Sequence, residues 1–170
     1  MITLEPSNGW IAVDAQGWRY PWFTSGALEV LDAMDLQGKK LFEWGVGYST
    51  YWFRSRGMKT WGVDSSEKWA KDVITHFEPN KEEYINYPKK YCNFGMDIVV
   101  IDGEYRDECA PVAFEIVKKG GIILIDNFFQ PSVPPNEWFR TLDLLAVKKA
   151  PHTLYPQTGH PDWKSLIIQC

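Results

Sequence analysis

The sequence predicts an α/β fold, in which an open and mostly parallel sheet carries helices on both faces. Segments with the apolar pattern of strands alternate along the chain with segments of helical spacing. The interior of 97–102 and the run Ile122–Ile125 are continuously apolar, which is typical of strands buried on both faces of a parallel sheet. A final pair of strands joined by a short turn is expected to form an antiparallel edge.

Length and composition indicate one globular domain. The chain has 170 residues, of which 45% are hydrophobic and 15% aromatic, so it can bury one sizeable core. It is too short for two ordinary domains. We therefore expect a single domain over 1–170, with an aromatic segment and a helix over 1–37 and the core of the fold over 38–170.

Charge and hydropathy exclude several classes of partner. The formal net charge is -4 and no long basic run occurs, so no nucleic-acid partner is expected. The pairs Lys89–Lys90, Lys118–Lys119 and Lys148–Lys149 are interpreted as solvated surface. No apolar window approaches the roughly 18 residues that a membrane span needs, and the three cysteines form no disulfide framework. A cytoplasmic protein without a membrane partner is the expectation.

The first half of the chain is predicted to contain three helices and two strands, followed by a weaker strand. Thr24 is the predicted N-cap of a helix that Gly38 ends, and the first strand of the sheet is Leu41–Trp44. A helix begins near Ser49 and ends at Gly57. The next segments are a strand over 60–63, a helix over 66–77 and a weaker strand over 84–87.

The second half continues the alternation around a proline-rich loop. After the strand within 97–102, a helix is predicted over 108–119, with Gly120–Gly121 as its stop, and the strand Ile122–Ile125 follows. Pro131–Pro135 must be a loop. Beyond it, the pattern predicts a helix over 137–147 and two strands over 152–155 and 164–169.

A carboxylate follows or ends four of the predicted strands. These residues are Glu43, Asp64, Asp102 and Asp126. Any one of them could simply cap the next helix. Ligands of open α/β sheets bind outside the carboxyl ends of the strands, however, so the four together indicate a polar site there.

The turn after the first strand indicates what that site binds. Gly45 and Gly47 permit a tight strand-to-helix turn, and the amides near Ser49 and Thr50 lie at a helix N-terminus. A dinucleotide-binding turn would need a third glycine where Thr50 stands, and its pyrophosphate would meet the carboxylate of Glu43 unfavourably. A cationic ligand fits better, and an NAD-dependent oxidoreductase is kept as an alternative.

The segment Leu41–Thr50 resembles the first motif of class I S-adenosylmethionine-dependent methyltransferases. Val63–Asp64, Asp97–Gly103 and Gly120–Asn127 are similar to the later strand ends of that family, and Tyr20–Trp22 is similar to a subgroup of uncharacterised methyltransferase-like proteins. The resemblance covers about residues 20–127. It implies a Rossmann-like, three-layer α/β/α sandwich with S-adenosylmethionine as cofactor.

By this resemblance, the glycine turn wraps the amino-acid part of the cofactor, Glu43 lies near its ammonium group or orders water there, and Asp64 receives the ribose hydroxyls. A carboxylate suits the last role because it accepts two O–H bonds at once. Ser65, Trp69, Asn86 and Tyr87 are candidates for the adenine slot, with a place in the core as the alternative for Trp69. The implied cofactor-binding residues are Glu43, Gly45, Val46, Gly47, Tyr48, Ser49, Thr50, Asp64, Ser65, Asp102 and Gly103.

The positions where the methyl group should project carry the implied catalytic residues. These are Asp102, Tyr105, Arg106, Asp126 and Asn127, and Arg106 could clamp a carboxylate or phosphate of the substrate. In the cation-dependent branch of the family, Asp102, Asp126 and Asn127 would hold Mg²⁺. Tyr105 departs from the lysine of that branch, so no metal is expected.

The sequence therefore favours a methyltransferase that modifies oxygen or nitrogen of a small molecule. A cofactor-binding subunit without its own activity is the second hypothesis, and a homo-oligomer is possible. The aromatic residues Trp18, Tyr20 and Trp22 could form a lid with the loop 128–138, or could simply cover the first helix. His160 is the one histidine kept as a possible base.

Overall fold

Nine strands and six helices make up the described part of the protein, which comprises residues 3–5, 11–13, 20–92, 95–129 and 138–170 of the computed structural model. The strands are β1 (Thr3–Glu5), β2 (Ile11–Val13), β3 (Lys40–Trp44), β4 (Lys59–Asp64), β5 (His76–Phe77), β6 (Met96–Ile101), β7 (Val117–Phe129), β8 (His152–Gln157) and β9 (His160–Gln169). The helices are α1 (Ser25–Asp32), α2 (Tyr48–Ser55), α3 (Glu67–Asp72), α4 (Lys81–Tyr91), α5 (Arg106–Ile116) and α6 (Phe139–Lys148).

Seven of the strands form one mixed sheet in the order β5-β4-β3-β6-β7-β9-β8. The first five pair in parallel, whereas β9 is antiparallel to both of its neighbours. β1 and β2 pair separately as a small antiparallel hairpin. The predicted fold class, a mostly parallel sheet with an antiparallel C-terminal strand, is confirmed.

Helices cover both faces of the sheet and divide the core into two layers. On one face, Leu28 and Leu31 of α1 and Phe53 of α2 pack on alternate residues of β3, β6 and β7. On the other face, Tyr84 of α4 and Ile116 of α5 pack on the intervening residues of the same strands. Because the two faces are both covered, the central strands are apolar on each side, as the sequence indicated.

Two predicted elements near the β5 edge are wrong. Residues 84–87 lie inside α4, not in a strand, because the Asn80 side chain caps the helix by accepting the Glu83 backbone N–H at 3.1 Å. The predicted helix over 66–77 ends at Asp72, and His76–Phe77 instead pairs with β4. The first error arises because an apolar pattern does not register the polar cap that begins α4.

The boundary between α5 and β7 also differs from the prediction. The helix begins at Arg106 and ends at Ile116, and β7 includes the two glycines that were expected to stop the helix. At Gly121, a Cβ would lie 2.8 Å from the Asp97 carbonyl oxygen, so this glycine allows β7 to approach β6 closely. The predicted proline loop lies outside the described residues, and α6 begins at Phe139.

Among the helices of the described residues, none has the length and apolar character that a membrane span needs.

The cap of α4 supplies a test of the fold. We expect Asn80→Ala to lower the free energy of unfolding by about 1 kcal/mol, because the Glu83 N–H loses its partner at the helix start. Urea denaturation measures the change. Asn86→Ala is the control, since Asn86 lies in the same helix and only donates to the Glu82 carbonyl. Equal losses in the two variants would contradict a specific role for the cap.

Candidate functional site

The turn after β3 is pressed against the turn after β6, and two glycines make this possible. Gly45 has φ +83°, and a Cβ there would lie 2.3 Å from the backbone nitrogen of Gly103. A Cβ on Gly103 would lie 2.1 Å from the Tyr84 hydroxyl oxygen. Neither position can therefore carry a side chain without movement of the backbone.

Gly47 is different, because nothing in the described fold requires glycine there. Its φ of -178° is extended, and the nearest atom to a Cβ would be Cε3 of Trp69, at 3.9 Å. The turn is thus closed on the side of Gly45 and open above Gly47. Such an opening beside backbone amides allows a ligand to approach the main chain.

Glu43 lies beneath this turn and is completely buried. Its Oε1 accepts the Ser49 hydroxyl and its Oε2 accepts the Thr50 hydroxyl, both at 2.5 Å. The Thr50 Oγ1 also accepts the backbone N–H of Gly47 at 3.2 Å. The carboxylate therefore ties the end of β3 to the first turn of α2, and it fixes the conformation of the glycine turn from below.

Burial shifts the acidity of Glu43. The loss of water raises the pKa of its carboxyl group to about 7, and the two hydroxyl bonds oppose this shift only in part. A group with this pKa exchanges a proton near neutral pH. The sequence implied contact with an ammonium group or its water, but in this structure both carboxylate oxygens are directed to hydroxyl groups of α2.

Asp64 connects the glycine turn to the end of β4. Its Oδ2 accepts the Val46 N–H at 2.9 Å, and its Oδ1 accepts the Ser66 N–H at 2.7 Å. Burial raises the pKa of this carboxyl group, against the effect of the two backbone bonds. Each carboxylate oxygen has two lone pairs, so one acceptor position per oxygen remains for a ligand.

Arg106 joins the ends of β6 and β7. Its five N–H groups make five hydrogen bonds: to the carbonyl oxygens of Gly103, Asp102 and Asp126 at 2.7–2.8 Å, to Oδ1 of Asn127 at 2.9 Å, and to Oδ1 of Asp102 at 3.3 Å. A guanidinium has no further N–H to donate. The role as a substrate clamp, which the sequence suggested, is not supported by this geometry.

Asp102 is the more accessible of the two acidic residues beside Arg106, with 22% of its side chain exposed. Burial, and then the neighbouring Asp126, raise its pKa well above the ordinary value. The single long contact from Arg106 is the only hydrogen bond to its carboxylate among the described residues. A ligand cation at this edge of the sheet would therefore favour the ionised form of Asp102, which receives little help from protein donors.

Asp126 is almost fully buried and belongs to a hydroxyl network that the sequence did not reveal. Its Oδ1 accepts a short hydrogen bond from the Ser165 hydroxyl of β9, and the Ser165 oxygen accepts the Thr24 hydroxyl at 2.9 Å. Burial raises the pKa of Asp126 to about 6. Pairing of β7 with β9 was predictable, but the alignment of Ser165 with Asp126 depends on the register of the two strands.

The remaining predicted site residues lie on different sides of these groups. Tyr48 stacks edge-on with Trp69 beside the turn, with 5.6 Å between ring centroids, and Ser65 is half-buried after Asp64. The Tyr105 ring packs against Tyr84 and beneath Lys81, on the α4 side of the sheet. Their predicted roles stay predictions.

Two roles were considered for the aromatic N-terminal segment: a lid over the site, and a cover over the first helix. Phe23 is buried against Phe53, and Tyr20 packs on Trp52 while its hydroxyl donates to Asp32 at 2.6 Å. Trp22 is 53% exposed. Trp18 and most of the loop 128–138 lie outside the described residues, and the His160 side chain is not described.

The described residues contain no group of three or more His, Cys, Asp or Glu side chains that could hold a metal ion. Of the positions that would bind Mg²⁺ in the cation-dependent branch, Asn127 has its oxygen occupied by Arg106, and Asp126 accepts from Ser165. The arrangement is therefore one of carboxylates held by hydroxyl groups and a guanidinium.

Comparisons with solved structures agree on the fold. The O-methyltransferase TomG of Streptomyces achromogenes, in complex with SAM, has a TM-score of 0.64 and 16% identity over 85% of this chain and 78% of its own. An O-methyltransferase of Bacillus cereus, in complex with SAH, has a TM-score of 0.65 and 16% identity over 85% and 80%. Spermidine synthase of Thermotoga maritima has a TM-score of 0.58 and 13% identity over 99% and 67%.

No family model and no curated protein matches the chain. The similarity to solved structures shows that the chain has the Rossmann-like fold of class I methyltransferases. Because the fold also occurs in a synthase, activity must be argued from the site.

Substitution of the two glycines of the turn is expected to change stability by very different amounts. We expect Gly45→Ala to lower the free energy of unfolding by more than about 2 kcal/mol, because φ is positive and Gly103 blocks the new Cβ. Gly47→Ala should change it by less than about 1 kcal/mol. Chemical denaturation of both variants measures this difference. Similar losses would show that the space above Gly47 is closed in solution.

The buried carboxyl group of Glu43 predicts a pH dependence of stability. Its folded-state pKa is raised from 4.5 to about 7, so its contribution to stability is fully present below about pH 4.5 and is lost as the pH rises through 7. Relative to Glu43→Gln, the wild type should therefore lose about 3 kcal/mol between these pH values. Denaturation across the pH series measures the difference, with Glu29→Gln, on the exposed side of α1, as control.

Proposed function

We propose that the protein is an S-adenosylmethionine-dependent methyltransferase that modifies oxygen or nitrogen of a small molecule. The observation that carries the proposal is the turn Gly45–Gly47, which is fixed from below by Glu43 and open above Gly47. A turn of this kind at the carboxyl end of a central strand is where open α/β sheets bind their ligands. The similarity in fold to two O-methyltransferases supports the same assignment.

The charge of the site favours a cationic ligand. Glu43, Asp64, Asp102 and Asp126 lie at this edge, and Arg106 is the one cation hydrogen-bonded among them in the described residues. S-adenosylmethionine carries a sulfonium and an ammonium group, and Asp102 is the carboxylate with the fewest partners to receive a positive charge. Asp64 retains acceptor positions for ribose hydroxyls.

The same features disfavour NAD. The place of a third glycine is taken by Thr50, which is fully buried and whose hydroxyl joins Gly47 to Glu43. A pyrophosphate above this turn would lie over a buried carboxylate, whereas dinucleotide sites place it against helix amides alone.

S-adenosylmethionine, when bound, supplies an activated methyl group, and the chain's task is then to align the acceptor and exclude water. Arg106 would act as a positioning residue, since it fixes the carbonyl groups that end β6 and β7. Asp126, with a pKa of about 6, could accept a proton from an acceptor near neutral pH.

The second hypothesis is a domain that binds the cofactor as a subunit of a larger assembly. The small size of the chain motivates it. It predicts cofactor binding without turnover by the isolated protein, and a partner that co-purifies and restores activity.

Calorimetric titration with S-adenosylmethionine, S-adenosylhomocysteine and NAD tests the proposed site. We expect the two sulfur nucleosides to bind and NAD not to bind. Gly47→Ala should weaken binding because its methyl group fills the opening, and Asp102→Asn should weaken it by roughly 1–3 kcal/mol through loss of a charged partner.

Asp143→Asn is the matched control, since Asp143 is exposed on α6. Preserved stability of Gly47→Ala and Asp102→Asn would show that any loss concerns the ligand. Binding of NAD in preference to the sulfur nucleosides, or unchanged affinity in both variants, would overturn the proposed site. Transfer of a labelled methyl group to small phenols, acids and amines would then separate the enzyme from the non-catalytic subunit.

A further inference from the structure

An open pocket lies at the opposite, amino-terminal edge of the sheet. Its volume is about 450 Å³, within the range of small-molecule sites. The end of α5, the start of β7, the segment between α6 and β8, and the end of β9 form its walls. The lining includes an apolar part made by Phe114, Val117, Ala150 and Pro151.

Two lysine pairs that are 30 residues apart in sequence meet in this pocket. Lys118–Lys119 come from the start of β7, and Lys148–Lys149 from the end of α6. The lining contains no carboxylate side chain. Lys118 Nζ lies 2.5 Å from Asp97, whereas Lys119, Lys148 and Lys149 make no ion pair with any described residue.

The third lysine pair of the sequence provides the contrast. Lys89 Nζ lies 2.8 Å from Glu115, and Lys90 forms an ion pair with Glu83, so both charges are compensated on the surface of the protein. One basic residue in the last turn of α6 would suffice to compensate the helix dipole, and Lys148 is placed to do so. Lys119 and Lys149, which are both exposed, are then the lysines of the pocket whose charge no described carboxylate side chain balances, on a chain whose net charge is -4.

The side chains indicate which anion would fit. Lys148 Nζ lies 5.3 Å from the centre of the Phe114 ring, so a cation and an aromatic face adjoin in the same pocket. Lysine binds phosphate as a point charge, and several lysines are suited to a group with more than one phosphate. An apolar wall beside them offers contact to a planar base.

We propose that this pocket binds a nucleoside polyphosphate, with its phosphates on Lys119 and Lys149 and its base against the apolar part of the lining. The site is independent of the proposed methyltransferase activity, because it lies at the other end of the strands. Failure of the one proposal therefore leaves the other untouched.

Calorimetric titration at low ionic strength, with S-adenosylhomocysteine in excess to occupy the other site, tests the proposal. ATP should bind, inorganic tripolyphosphate should bind more weakly, and adenosine should not bind. Lys119→Gln combined with Lys149→Gln should weaken ATP binding about tenfold or more, since two charged contacts are removed. Both side chains are exposed, so the double variant is expected to fold.

The matched control is Lys59→Gln combined with Lys90→Gln, which removes the same charge from exposed positions outside the pocket and should leave ATP affinity unchanged. If ATP affinity weakened equally in both double variants, the effect would come from net charge alone, and the proposal would be overturned. Absence of ATP binding, or tighter binding of a single-stranded oligonucleotide than of ATP, would also overturn it.

Discussion

The close approach of the β3 and β6 turns is the constraint on which the candidate site depends. Gly45 and Gly103 bring two backbone segments together where any side chain would collide. Once these turns touch, the carboxylates that follow the strands are brought to one edge, and the chain must compensate them. The hydroxyl groups of Ser49 and Thr50 do so for Glu43, and Arg106 does so for the ends of β6 and β7.

These compensating groups act through hydrogen bonds, with little neutralisation of charge. Hydroxyl and backbone N–H donors satisfy the oxygens of Glu43 and Asp64 without adding a positive charge, so burial still raises the pKa of both. Asp102 and Asp126 share Arg106, which bonds mainly carbonyl oxygens. These shifts favour the protonated carboxyl groups in the unliganded protein, whereas a cationic ligand would favour their ionised forms and an anion would not.

The sequence predicted what depends on local patterns and missed what depends on register. Apolar runs identified the central strands, and the glycine turn with its strand-end carboxylates identified the edge of the sheet. Ser165 was missed because it lies 39 residues from Asp126 in the sequence, and their contact depends on how β7 and β9 are aligned. The helix α4 was missed because a cap at Asn80 and acidic residues in its first turn, not an apolar stripe, mark its beginning. The five hydrogen bonds of Arg106 were also missed, because they could not be read from sequence spacing.

The parallel sheet also explains why the two ends of the molecule can differ in charge. The carboxylates at the ends of β3, β4, β6 and β7 lie at one edge of the sheet. The chain reaches the other edge at the ends of α6 and β9, where lysines line the pocket. The two charged edges are separated by the length of the strands, and salt screens the electrostatic field of each. The charge of one edge therefore has little effect on the other. A chain with a net charge of only -4 can therefore concentrate carboxylates at one edge and lysines at the other, and the ligand proposed for each edge is argued from the side chains found there.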